Sequence, residues 1–81
     1  MKAYKLIVLT PEDSESVQKK AFELGYKWKV NGFKIQYIDC NFLYMDKDGY
    51  IAFDTTDDIF AKDENQLVSI HDFLELTKGG K

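Results

Sequence analysis

The 81-residue sequence has no arginine, and all eleven of its basic residues are lysine. Specific readout of phosphates and base edges leans on the planar guanidinium fork, so this absence weighs against sequence-specific nucleic-acid recognition. Only one cysteine is present, Cys40, which excludes an internal disulfide and suits a reducing cytoplasm. There is one histidine, His71. Cys40 and His71 could make a nucleophilic pair only if folding brought them together, and no oxyanion motif accompanies them. Two such ligands also fall short of a structural zinc site. With no assembled set of acid, base and nucleophile, the expectation is a protein that works without catalysis, metal or cofactor. No apolar run approaches the roughly 18 residues of a membrane span. Lys5 interrupts the apolar start, and no small-residue cleavage site follows it, so neither a signal peptide nor a membrane role is expected.

What remains is a small chain with 44% hydrophobic and 15% aromatic residues, enough for one domain with its own core. The charge is unevenly placed. Residues 1–38 carry seven lysines and four acids, a net +3, whereas residues 39–81 carry four lysines and ten acids, a net −6.

The pattern along the chain predicts an α+β fold in the order β-α-β-β-β-β-α. Tyr4 to Leu9 is a short apolar run, β-branched at its centre, that reads as a central strand buried on both faces. Pro11 ends it and opens a helix, with Thr10, Asp13 or Ser14 as the cap and acids in the first turn. Val17, Ala21 and Leu24 give that helix its inward stripe, Phe22 flanks it, and Gly25 suits its C-terminal stop. This helix is expected to pack across a mostly antiparallel sheet.

Two hairpins follow. Tyr26 to Val30 and Phe33 to Tyr37 alternate around Asn31-Gly32, the dipeptide suited to a type I′ turn. A two-residue loop would face Val30 with Phe33, Trp28 with Ile35, and Tyr26 with Tyr37, all six on one buried side. The other side would oppose Lys29 to Lys34, with Lys27 alongside. Like charges across a ladder cost stability. The lysines Lys27, Lys29 and Lys34 therefore read either as a seat for an anionic small molecule such as a nucleotide, or as a solubilising edge.

The second hairpin joins Phe42–Met45 to Tyr50–Phe53 through Asp46-Lys47-Asp48-Gly49. These residues lack the ligand spacing of a calcium loop and read as a turn with Gly49 as its left-handed residue. Tyr44 should then face Ala52, and Phe42 should face Asp54. Leu43, Met45, Ile51 and Phe53 share one side, and Phe42, Tyr44, Tyr50 and Ala52 the other. Neither side is polar. Phe42, Tyr44 and Tyr50 are thus a candidate interaction surface for a partner protein or a second copy, unless the chain covers them itself.

Asp54 to Gln66 is acidic and weakly patterned and reads as a loop in which Ile59-Phe60 pack. Ser69 to Asp72 fits a capping box with Asp for Glu, and Val68 and Phe73 form a hydrophobic staple. The short helix that follows should bury Ile70, Phe73 and Leu74. The domain is expected to span residues 1–77, with 78–81 a disordered tail.

Thr10-Pro11-Glu12, Ser16-Val17-Gln18, Phe22, Leu24-Gly25-Tyr26, Trp28 and Asp48-Gly49-Tyr50-Ile51 together resemble a group of small accessory proteins encoded by tailed bacteriophages. The likeness covers most of residues 4–76, and its motifs are structural. It implies a protein made in the bacterial cytoplasm that binds a host protein, in host takeover or counter-defence. It transfers no catalytic or ligand residue.

Overall fold

The Thr10-Pro11 step sets where the first strand stops. β1 (Tyr4–Ile7) gives way to α1 (Pro11–Glu23), with Pro11 in its first turn and the Thr10 hydroxyl accepting the Asp13 N–H at 3.0 Å. Thr10 is thus the cap among the three candidates. The computed structural model describes residues 1–30, 32–55 and 57–77, with the side chains of Asp57 and Ile59 left out. Asn31, the packing of Ile59 and the 78–81 tail lie outside the described residues.

After α1 come β2 (Lys27–Trp28), β3 (Phe42–Met45), β4 (Tyr50–Asp54), α2 (Asp57–Lys62), β5 (Gln66–Leu67) and α3 (Ile70–Leu74). They build one α+β domain around a five-stranded mixed sheet in the order β2-β4-β3-β1-β5. The middle pairs, β1 with β3 and β3 with β4, are antiparallel, while both outer strands run parallel to their neighbours. The expected element order is corrected on three counts, the first being that Phe33 to Tyr37 form no strand. The acidic 54–66 stretch contains a helix, and it leads into an edge strand that carries too little alternation to be read from two residues.

The second hairpin forms in the expected register, with Phe42 facing Asp54, Tyr44 facing Ala52, and Gly49 at φ +88°. Among the described residues, the expected pairing of 26–30 with 33–37 does not form. Trp28 bridges Gly32 instead of Ile35, and Lys27 and Trp28 pair in parallel with Tyr50 and Ile51. Of the six side chains expected inside, only Tyr26 and Trp28 are buried, while Val30, Phe33 and Tyr37 are exposed. The cause lies in α1. Its buried stripe is Ser14, Val17, Gln18 and Ala21, so two polar residues face inward where Leu24 is only half-buried. The Gln18 amide takes the Gln36 N–H at 2.9 Å and donates to the Gln36 carbonyl at 2.5 Å. These bonds tie the Gln36 backbone to α1, and no ladder joins it to the strand that holds Lys27. Tyr37 then turns to φ +53°, which ends any extended run.

On this side of the sheet α1 and α3 pack together over Leu6, Val8, Leu43, Met45 and Ile51. The Ser69 hydroxyl caps α3 by accepting the Asp72 N–H at 3.0 Å. Phe73 is fully buried against Tyr4, with ring centroids 5.7 Å apart. Leu74, expected in the stripe, is exposed, because a five-residue helix turns only one narrow face inward.

The opposite face is smaller. Phe60 of α2 stacks on Phe42 at 4.4 Å and lies 6.0 Å from Tyr44. Lys5, buried on the same face, reaches to the end of α2 and donates to the carbonyls of Phe60 and Asp63 at 2.6 and 2.9 Å. A cation there complements the negative end of the helix. The candidate surface of Phe42, Tyr44 and Tyr50 is therefore corrected: Phe42 and Tyr44 are buried, and only Tyr50 remains partly open. A one-turn cover was invisible in an acidic segment with a single strong apolar pair.

Tyr44 pays for this burial. Its hydroxyl is buried without a hydrogen-bond partner among the described residues, and desolvation, helped by Asp54 and Asp63, pushes its pKa up to about 12. Tyr44→Phe is expected to raise stability by about 1 kcal/mol, seen as a higher urea midpoint at unchanged slope. A lower midpoint would refute an unpartnered hydroxyl. Tyr26, whose hydroxyl donates to the Lys2 carbonyl, is likewise raised to about 12, mainly by burial and then by Tyr4. The unfolded chain releases these protons near pH 10, the folded one near 12, so stability present below pH 10 is lost as pH rises toward 12. Tyr44→Phe should make that loss shallower.

Candidate interaction surface

The chemistry-bearing residues do not converge. Cys40 is buried, and burial raises its thiol pKa against hydrogen bonds that partly offset the effect, Ser14 among them. His71 is exposed on α3, with Glu75 at 3.6 Å. Among the described residues no group of three or more acidic, histidine or cysteine side chains could hold a metal ion, and no helix is long and apolar enough to cross a membrane.

The lysines change their setting with the hairpin. Lys27, Lys29 and Lys34 are all exposed, but no ladder brings Lys29 opposite Lys34. Lys29 instead carries its ammonium 5.9 Å above the Tyr50 ring. The like-charge argument for an anion seat therefore loses its geometric basis.

What the lost hairpin leaves behind is a raised aromatic surface. Trp28 is buried, and its Nε1–H donates to Gln18 Oε1 at 3.1 Å. Its ring edge supports Tyr37 at 5.1 Å and Phe53 at 6.3 Å. Tyr37 and Phe53 stack nearly face to face, 4.1 Å apart and 14° from parallel. Yet Tyr37 is 51% and Phe53 42% exposed. Phe33 leans on Phe22 of α1 at 5.7 Å, edge on, and stays mostly in water, as does Val30, while Ile38 is partly exposed.

Gln18 organises this loop. Besides its two bonds to Gln36 it accepts from Trp28 and donates to Ser14 Oγ at 3.1 Å. Both amide hydrogens and both lone-pair directions are used. The loop is thus held in a defined shape by one side chain from a rigid helix, and its apolar residues are left outside.

Sequence reasoning missed Val30, Phe33, Tyr37, Ile38 and Phe53, because alternation assigned all but Ile38 to the buried side. One signal pointed the other way: Ser14 and Gln18 lie at helical spacing with Val17 and Ala21, and a buried tryptophan needs an acceptor for its N–H. Comparison of the chain with protein-family models, with curated proteins and with solved structures finds no match.

Proposed function

We propose that this chain is a non-enzymatic binding protein that docks another protein through Val30, Phe33, Tyr37, Ile38 and Phe53. The observation that carries the reading is the stacked Tyr37–Phe53 pair, held from below by Trp28 yet about half in water. A cluster of exposed rings is costly to a free monomer and fits a partner surface. Rings already fixed in place lose little further freedom on binding, which makes them strong anchors. The resemblance to phage accessory proteins supplies the partner class, a bacterial host protein met in the cytoplasm. Homodimerisation through Phe42 and Tyr44 loses its support, since Phe60 already covers them.

Tyr37→Lys and Phe33→Lys should each leave melting within a few degrees of wild type. Both should weaken capture of the partner from bacterial lysate by about tenfold or more, as truncation of an interface anchor does. Equal capture of the same protein by wild type and by both folded variants would overturn the reading.

Lys29 above Tyr50 favours one second reading, in which an anionic small molecule such as a nucleotide sits by its phosphate on Lys27, Lys29 and Lys34 and by its base near Tyr50. Changing the three lysines to glutamine should then abolish nucleotide-induced stabilisation and leave protein capture intact. A wild-type protein whose melting no nucleotide raises would exclude it.

A further inference from the structure

The second sheet face continues past its cover. Ile7 pairs with Phe42 and Leu67 with Lys5, so these side chains extend the face that α2 roofs only over Phe42 and Tyr44. Ile7 is 45% exposed, Leu67 56%, and Leu9, just beyond the strand, 82%. With Val68, Ser69 and Ile70 they line an open cavity of about 360 Å³, apolar except for Ser69 and without a charged side chain.

Among the described residues no strand pairs with the sheet edge beside this groove. The Gln66 N–H bonds to the Ala3 carbonyl at 3.0 Å and the Val68 N–H to the Lys5 carbonyl at 3.1 Å. Successive peptide groups of a strand point to opposite sides, so the N–H and C=O of Leu67 face outward. The other edge is treated differently. There the Trp28 N–H is taken by the Gly32 carbonyl at 2.9 Å, and exposed Lys27 and Lys29 flank it, which keeps foreign strands off. Around β5, residues 63–69 hold neither lysine nor proline.

From this juxtaposition we infer that β5 and the groove beside it form a second docking site, distinct from the aromatic surface, which takes an extended apolar segment of a partner chain as an added strand. Strand addition answers both features at once: the outward Leu67 peptide takes the backbone, and an alternate side chain enters the groove. A helix cannot satisfy the Leu67 groups, having spent its own. β5 is short and offers one outward peptide, so the groove supplies most of the affinity. The uncharged lining selects leucine-, valine- or isoleucine-bearing strands over charged ones.

The test uses the full chain and a blocked hexapeptide alternating threonine and leucine, followed by amide NMR. Addition of peptide should shift Ile7, Leu9, Leu67, Val68 and Ile70 and slow hydrogen exchange at Leu67. N-methylation of the peptide's ladder amides should weaken binding by about tenfold or more, because it removes the backbone bonds and keeps the side chains. Leu9→Lys, at a position outside the core, should weaken binding by about tenfold with unchanged melting, and Leu67→Lys should do the same. Equal binding of the N-methylated peptide would make the groove a seat for small apolar molecules and overturn the inference. So would concentration-dependent shifts of the same residues without peptide, which would mark self-association, or no shift at about 1 mM peptide.

Discussion

Replacing Trp28 by alanine is expected to remove about 3–5 kcal/mol of stability, a large part of what a domain of this size holds. The side chain is buried, supports Tyr37 and Phe53, and ties β2 to α1 through its bond to Gln18. Its loss leaves a cavity below the stacked pair and an unused acceptor on Gln18. In thermal melts Tm should fall by at least about 12 °C, given about 4–8 °C per kcal/mol for small domains. Partner capture should fall with it, since Tyr37 and Phe53 lose their support. A variant that melts within a few degrees of wild type would show that the ring contributes little burial.

Gln18→Leu should be nearly as severe, although it is apolar, of similar size and better suited to a helix interior by the usual rules. It strands the Trp28 Nε1–H and removes the bonds that Gln18 makes to the Gln36 backbone and to the Ser14 hydroxyl, which keeps Cys40 as a partner. At about 1–3 kcal/mol for the stranded donor and about 1 kcal/mol for each of the other bonds lost, offset in part by the apolar side chain, the cost is about 3–5 kcal/mol. Gln18→Glu separates hydrogen bonding from shape. A carboxylate cannot donate to Ser14 Oγ or to the Gln36 carbonyl, and burial holds its pKa above the ordinary value near 4.3. Its stability should therefore be highest in mild acid and fall as pH rises toward 7. A Gln18→Leu protein as stable as wild type would remove the amide from its organising role. Because Trp28 and Gln18 share a bond, the two losses should sum to less than their separate values in a double-mutant cycle.

Much of this protein could be read along the chain because the relevant forces act between neighbours in sequence. Proline at the start of α1, a threonine cap and a glycine past its end are local steric and hydrogen-bonding facts. The 46–49 turn set the register of β3 and β4 in the same way, through one glycine at positive φ and the period of two. The serine cap of α3 and the burial of Phe73 follow from the spacing around Ser69.

Tertiary structure decided the places where two local preferences competed or where the partner came from far away. Asn31-Gly32 favoured a hairpin, but a glutamine eighteen residues upstream of Gln36 tied that residue's N–H and C=O to α1, and Phe33 to Tyr37 form no strand. That choice moved Phe33 and Tyr37 from expected core to surface and dispersed the lysine pair. Phe42 and Tyr44 moved the opposite way, because Phe60 and the end of α2 came to rest on them and on Lys5. In both cases backbone and ring contacts between distant segments outweighed a periodicity only a few residues long. Which apolar faces the protein buries, and which it leaves exposed, was settled at that level.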